Sequence, residues 1–369
     1  MNFIPLASPN ITDEDINAVI EVLHSGMLVQ GKNVEALENA VAEYLGVKHA
    51  VAVTSGTAAL HLALKALGIG AGDVVIAPAF SFVATANVVE LVGAKPVFVD
   101  IEPETFNIDA SKIAAAITPK TRAIMPVHEF GLSCDISRIA EIARRNNLLV
   151  IEDAACSLGS TENGKFVGSF GHVGCFSLHP RKAITSGEGG LLTTNNAETA
   201  AEIRTLRNHG IEFRNGKKEF VAAGFNYRMT DFQAALVLSQ FSRFGANVSR
   251  KSVLAETYLS ELADLASVRL PLIPKDKRHT WQTFYVVVDE VRDRDQLIAK
   301  LKRRGIETNY GAQCIPAQVY YQEKYGLDCE RLFPNAMRAF KCGLSLPLYE
   351  KLTEEEIRFV AGALRDALE

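Results

Sequence analysis

The sequence predicts an α/β protein: a three-layer architecture with a mostly parallel sheet covered by helices on both faces, followed by a smaller α+β unit. Three observations lead there. Strand and helix signals alternate regularly from residue 50 to about residue 210. The strand segments are near-continuous apolar runs rather than alternating ones, as expected of strands buried on both faces. A segment rich in proline and charge, LPLIPKDKRHTW, then interrupts the pattern before a second, shorter mixture of strand and helix.

The elements follow in order. Thr12 is placed to N-cap a helix over DEDINAVIEVLHSG, and Gly26 to end it. VEALENAVAEYLG repeats the amphipathic pattern and stops at Gly46. AVAVT, DVVIAP, KPVFVD, TRAIMPV, LLVIED, GCFSL and GGLLTT read as strands. TAALHLALKALG, SFVATANVVELVG, DISRIAEIARRNN and AETAAEIRTLRNHG read as the helices between them. A long helix-prone stretch over 231–265 reads as a connector. Strand TFYVVVD, helix RDQLIAKLKRRG, strand-like IETNYG and helices near RLFPNAMRAFKCG and TEEEIRFVAGALRDALE complete the chain. Residues 1–240 are therefore assigned to a large α/β domain with N-terminal helices. Residues 241–369 are assigned to the connector helix and a small C-terminal α+β domain.

Composition narrows the function. Nearly half of the 369 residues are apolar, enough for a large core. A net charge of −4 gives no support to nucleic-acid binding. The eight histidines show no metal-ligand spacing, so no metal site is expected. The six cysteines, Cys134, Cys156, Cys175, Cys314, Cys329 and Cys342, form no CxxC pair and read as reduced thiols of a cytosolic protein. The N-terminus lacks the basic start and apolar stretch of a signal peptide, and no apolar run reaches the ~18 residues of a membrane span. The expectation is a cytoplasmic protein without membrane contact.

Three places carry the chemistry. GCFSLHPRKAITSGEGG puts a lone lysine, Lys182, between an apolar strand and a glycine-rich turn. An isolated loop lysine is ordinarily a solvated one; the flanking strand and glycines favour a reactive amine close to a ligand. Arg181 beside it could supply a charge that assists deprotonation. LLVIEDAA ends on Asp153, at the carboxyl end of a strand, where ligands of open α/β sheets bind; the alternative is a turn or capping aspartate. Glu152 faces the other way and is less suited. TSGTAAL opens a helix at Ser55, Gly56 and Thr57, whose free N–H groups and dipole favour an anion, although the same residues make an ordinary cap. A reactive amine, a strand-end carboxylate and an anion-binding helix start are what a protein needs to hold pyridoxal 5'-phosphate (PLP). Lys182 would form the Schiff base, Asp153 would pair with the pyridinium nitrogen and the helix start would take the phosphate. Ser177 is a further phosphate candidate. Phe82, in APAFSFVATAN, could cover the cofactor ring, while composition alone favours a core phenylalanine.

The chain resembles the DegT/DnrJ/EryC1/StrS group of PLP-dependent sugar aminotransferases, within fold type I of the aspartate aminotransferase superfamily. TSGTAALHLALKALGIGAGDVVI, PAFSFVATAN, VFVDIEPETFNID, IEDAACSLGS, GCFSLHPRKAITSGEGG, GFNYRMTDFQAAL and LSLPLYEKLTEEEI stand as family blocks in family order. The resemblance implies that Lys182 is the Schiff-base lysine and proton shuttle, Asp153 the pyridinium partner, Phe82 the stacking ring, and Gly56, Thr57 and Ser177 phosphate ligands. It also implies that Asn226 reaches the phosphate of a partner subunit in a homodimer with shared active sites. Two departures stand out. Cys156 occupies a position where many members have glutamine or histidine at the cofactor ring, and a thiol is a weaker hydrogen-bond partner. YGAQCIPAQVYY replaces a proline-leucine-histidine segment near the sugar, so Gln313, Gln318 and Tyr321 are expected to read the substrate. The implied reaction is ping-pong transfer of an amino group from L-glutamate to a keto group of a nucleotide-linked deoxy sugar. Dehydratases among the relatives carry histidine where this chain has Lys182. A regulatory protein that kept the fold is the remaining alternative.

Overall fold

The structure, a computed structural model, describes residues 3–288 and 293–368. Its centre is a seven-stranded sheet of β1 (His49–Val53), β2 (Val74–Pro78), β3 (Lys95–Val99), β4 (Thr121–Ile124), β5 (Leu149–Asp153), β6 (Val173–Ser177) and β7 (Gly190–Thr194). The spatial order is β1-β7-β6-β5-β4-β2-β3. Each falls on one of the predicted apolar runs, β1 and β6 starting one residue earlier.

Five neighbours, β3, β2, β4, β5 and β6, run parallel. β7 is antiparallel to both β6 and β1. The cause is the connection: no helix separates β6 from β7, so the chain cannot make the crossover that a parallel return requires. It doubles back instead, and the loop that does so carries Lys182. Because β1 is antiparallel to β7, its carboxyl end lies on the same edge as those of β5 and β6. Val53, Gly190 and Ser177 are register partners across β1, β7 and β6. The sheet thereby gathers Ser55, Ser177, Lys182 and Asp153 at one edge.

Some expected elements are met, and the departures include two at helices and one at a hairpin. Helix Asp13–Ser25 starts after Thr12, whose N–H donates to Asp15, and ends at Gly26 with φ 69°. The helix expected from Ser81 starts only at Ala84, because Phe80–Ser81 forms a two-residue strand with Gln313–Cys314. The helix-prone stretch after residue 231 is two helices, Asp231–Phe241 and Phe244–Glu261. At the break, the Arg243 guanidinium is held by both oxygens of buried Asp15 and by the Asn10 carbonyl. A hairpin, Ile211–Arg214 with Lys217–Phe220, stands where no strand was expected. Its turn residues, Asn215 and Gly216, both have positive φ, the conformation of a two-residue hairpin turn.

Downstream, β8 (Val268–Arg269), β9 (Phe284–Val288) and β10 (Gly343–Leu346) form a three-stranded antiparallel sheet. Helices Phe244–Glu261 and Glu354–Leu368 pack on it around Leu254, Tyr258, Phe284, Val286 and Leu364. The N-terminal residues also join this unit: Ile4 bridges Ile306 and is buried in the same cluster. A separate aromatic core of Phe80, Phe98, Phe106, Phe130, Tyr285 and Tyr321 joins the two sheets. The contact between the sheets is thus dry and aromatic on one side, and on the other it opens into a cavity.

Candidate active site

The cavity has a volume of about 670 Å³ and lies over the carboxyl ends of β1, β4, β5 and β6. The smaller unit closes it with Gln282, Asn309, Ser345 and Leu346. Ser55, Gly56, Thr57, Phe82, Asp153, Cys156, Ser177 and Lys182 all line it. Residues separated by up to 127 positions in sequence are thus brought to one space.

Asp153 ends β5 and is only 4 % exposed. Its Oδ2 accepts the Thr85 hydroxyl at 2.8 Å and its Oδ1 accepts the Ala155 N–H at 3.2 Å. Burial pushes its carboxyl above the ordinary range, while Thr85 and Ala155 favour the charged form. Glu152 points to the opposite face, where it accepts from His128 and from the backbone of Gly168, Phe170 and Gly171. Those four bonds commit it to the fold.

Lys182 lies in the β6–β7 loop, and its Nζ donates to Cys156 Sγ at 3.1 Å. Burial raises the thiol's pKa, and the Lys182 charge opposes that shift. Ser55 caps helix Gly56–Ala66 by accepting from Ala58 N–H at 3.0 Å, leaving the Gly56 and Thr57 end of the helix facing the cavity. A Cβ on Gly56 would lie 2.9 Å from Ser177 Cβ, and one on Gly190 would lie 2.3 Å from the Ser55 carbonyl oxygen. Both glycines are required by this close approach of three strand ends. Phe82 is 62 % exposed at the cavity wall. It is not a core residue, and an exposed ring at the cavity wall suits stacking on a planar ring.

These features fit PLP. A cradle without Cβ atoms at a helix start suits a phosphate, a buried carboxylate suits a ring N–H, an amine suits an aldehyde carbon, and a bare phenylalanine suits a planar ring. The sequence profile described as the DegT/DnrJ/EryC1/StrS aminotransferase family matches residues 9–365. The chain belongs to this family.

Within the DegT/DnrJ/EryC1/StrS family, the chain is 40% identical to the spore coat polysaccharide biosynthesis protein SpsC of Bacillus subtilis, over 99% of its own length and 97% of that protein. It is 40% identical to GDP-perosamine synthase of Caulobacter vibrioides, over 99% and 98% of the two chains. Among solved structures it is similar to the PLP-form of Spr1654 from Streptococcus pneumoniae, with a TM-score of 0.94, 29% identity, and coverage of 99% and 98%. The family is PLP-dependent, and this chain is a PLP-dependent sugar aminotransferase of fold type I.

Other expected positions lie elsewhere. Gln313, Gln318 and Tyr321 do not line the cavity. Tyr321 is 2 % exposed in the aromatic core, with its hydroxyl on Asn87. Gln318 bonds back to the Cys314 carbonyl, and Gln313 sits in the strand pair with Ser81. That pairing turns Gln313 and Cys314 toward the contact between the sheets, so none of the three residues expected to read the substrate borders this cavity. The same stretch presents Asn309, Gly311 and Ala312 to the cavity instead. Asn226 is exposed, outside its own chain's cavity, and bridges Asn208.

Sequence reasoning passed over Thr85, Glu129, His179, Glu188 and Asn309, all of which border the cavity. Glu129 carried a readable signal: it follows the strand TRAIMPV at the same sheet edge as Asp153. Thr85 and Asn309 carried none, because their relevance comes from contacts across the fold. No described helix is long and apolar enough to cross a membrane. Among the described residues no cluster of three or more His, Cys, Asp or Glu could hold a metal ion.

Proposed function

We propose that the enzyme moves the amino group of L-glutamate to a keto group of a nucleotide-linked deoxy sugar, in two half-reactions that share the one cavity. The observation that carries this reading is the convergence of Lys182, Asp153 and the Gly56 helix start on that cavity. The relative named as a GDP-perosamine synthase supports a nucleotide sugar as acceptor.

When bound, PLP supplies an electron sink for the carbon that loses its proton. The chain's residues supply the rest. Lys182 Nζ would be the attachment point for the cofactor's aldehyde and, when free, the base that carries a proton at the reacting carbon. Asp153 would accept the ring N–H and keep that nitrogen protonated, with Thr85 fixing the carboxylate's orientation. Ser55, Gly56, Thr57 and Ser177 would hold the phosphate, and Phe82 would cover the ring. Leu346 and Leu348 shield the inner end of the cavity.

The protein works as a homodimer in this reading, with Asn226 of each chain reaching toward the other's phosphate; its exposure outside its own cavity supports that placement. The six cysteines form no disulfide among the described residues, which is compatible with a reducing setting.

The test uses PLP-loaded protein, 15N-labelled L-glutamate and a panel of 3-keto and 4-keto sugar nucleotides. The expected result is 2-oxoglutarate release and label in an aminosugar with its hydroxyls intact, both lost in Lys182→Ala. Sugar deoxygenation without amination would replace this reading with a dehydratase. A protein that binds no PLP would overturn it altogether.

A further inference from the structure

Glu129 is a buried carboxyl in the cavity wall, 4 % exposed, and its Oε2 has no hydrogen-bond partner among the described residues. An unmet buried carboxyl oxygen is costly and calls for an explanation. Its position is firmly held. The Glu129 N–H donates to Asn107 at 2.8 Å. Phe130 then adopts φ 54°, a conformation unusual for a phenylalanine, anchored by stacking on Tyr285 at 4.3 Å. Beside it in the cavity wall, Ser81 meets Thr85 at 3.3 Å, and Thr85 donates to Asp153. Glu129 therefore borders the same cavity as the carboxylate assigned to the ring nitrogen.

The sheet order says which edge of a bound ring Glu129 faces. From one side of the sheet to the other, the strand ends carry Ser55–Thr57 after β1, Ser177 on β6, Asp153 on β5, and Glu129 after β4. The phosphate candidates and Glu129 thus flank Asp153 on opposite sides. In pyridoxal phosphate, the phosphate arm and the 3-hydroxyl also flank the line from ring nitrogen to aldehyde carbon on opposite sides. With the nitrogen at Asp153, the aldehyde carbon at Lys182 and the phosphate at the Gly56 helix start, the hydroxyl edge turns toward β4.

We propose that the free Oε2 of Glu129 is the hydrogen-bond partner of the cofactor's 3-hydroxyl, making Glu129 a cofactor-binding residue alongside Cys156. The inference rests on the functional reading above. A carboxyl suits the task in either protonation state, since the acid donates and the carboxylate accepts. Burial, with the Asp153 charge, pushes Glu129 up to about 8, so it brings its own proton at neutral pH and adds no second negative charge beside Asp153. The Cys156 thiol, already engaged by Lys182, is a weak partner for that hydroxyl.

The experiment measures equilibrium binding of pyridoxamine phosphate and of its 3-deoxy analogue, by calorimetry, to the full-length parent, Glu129→Leu and Glu129→Gln. In the parent, removing the hydroxyl is expected to weaken binding by about tenfold, the worth of one buried hydrogen bond. In Glu129→Leu the two ligands should bind within about twofold of each other, while Glu129→Gln, which can still donate and accept, retains most of the difference. Equal penalties in the parent and Glu129→Leu would overturn the proposal. So would a Glu129→Leu effect confined to the KM of the sugar, which would place Glu129 on the substrate. A parent that binds both ligands equally overturns it without any variant, and a parent that binds neither overturns the functional reading with it.

Discussion

Lys182 Nζ and Cys156 Sγ face each other at 3.1 Å across the floor of the cavity, the amine donating to the thiol. The two residues come from different strand ends, β6 and β5, and meet because those strands are parallel neighbours. Engaging Lys182 with a cofactor should therefore close the approach to Cys156. In cofactor-free protein, alkylation of Cys156 is expected to be slow at neutral pH, because burial raises its pKa, and to accelerate at alkaline pH. Loading with PLP should protect it, while Cys342, which lies outside the cavity, reacts as before. Peptide mass spectrometry after timed alkylation reads both. Equal labelling of Cys156 with and without PLP would remove the cofactor from this space.

The bond from Thr85 to Asp153 makes the orientation of the carboxylate a separable property. Asp153→Asn removes a charge-assisted hydrogen bond to the ring nitrogen and should lower kcat by about a hundredfold. Thr85→Val leaves the charge in place but frees one buried oxygen, and about a tenfold fall is expected. Single-turnover rates with glutamate check both. A Thr85→Val enzyme at parental rate would show that the second oxygen bond from Ala155 suffices.

Gly56 tests the phosphate cradle. Its added Cβ in Gly56→Ala meets Ser177 Cβ at 2.9 Å, so one strand end must shift. The expected outcome is about tenfold or greater loss of PLP affinity. The accompanying stability cost is about 1–3 kcal/mol, within what an overpacked site usually shows. Dissociation constants and unfolding curves on the same protein separate the two effects.

His279 links stability to pH. It is buried, stacked on Trp281 at 4.0 Å, and its Nδ1 accepts the Trp281 N–H at 2.9 Å. Burial, aided by the Lys251 charge, lowers its pKa to about 3 from an ordinary value near 6.5. The unfolded chain therefore takes up the proton first. The native state keeps its full stability above pH 6.5 and loses about 1.4 kcal/mol per pH unit below it, until the pH nears 3. At pH 5 that is about 2 kcal/mol. Urea unfolding of the parent and His279→Gln at pH 7, 6 and 5 should show a shallower decline in the variant. Parallel declines would mean that His279 is protonated in the native state.

What the sequence by itself determined is local. The seven apolar runs specify β1 to β7, because a strand buried on both faces needs nothing but apolar side chains along its length. Thr12, Ser55 and the glycines at 26 and 46 specify helix ends, since capping involves residues only a few positions apart. Lys182, Asp153 and the Gly56 turn were legible for the same reason: each sits where a strand or helix terminates, and ligand sites of α/β sheets collect there. The tertiary structure decided whatever depends on partners distant in sequence. Asp15, 228 residues away, holds Arg243 where the helix-prone stretch divides in two. Pairing of Phe80–Ser81 with Gln313–Cys314 delays a helix, leaves Phe82 at the cavity mouth and draws Tyr321 into the core. The burial of Glu129 in the wall of the cavity that Asp153 and Lys182 also line belongs to the same class. Periodicity reports on neighbours along the chain; burial and electrostatic coupling depend on neighbours in space, and only the folded arrangement supplies those.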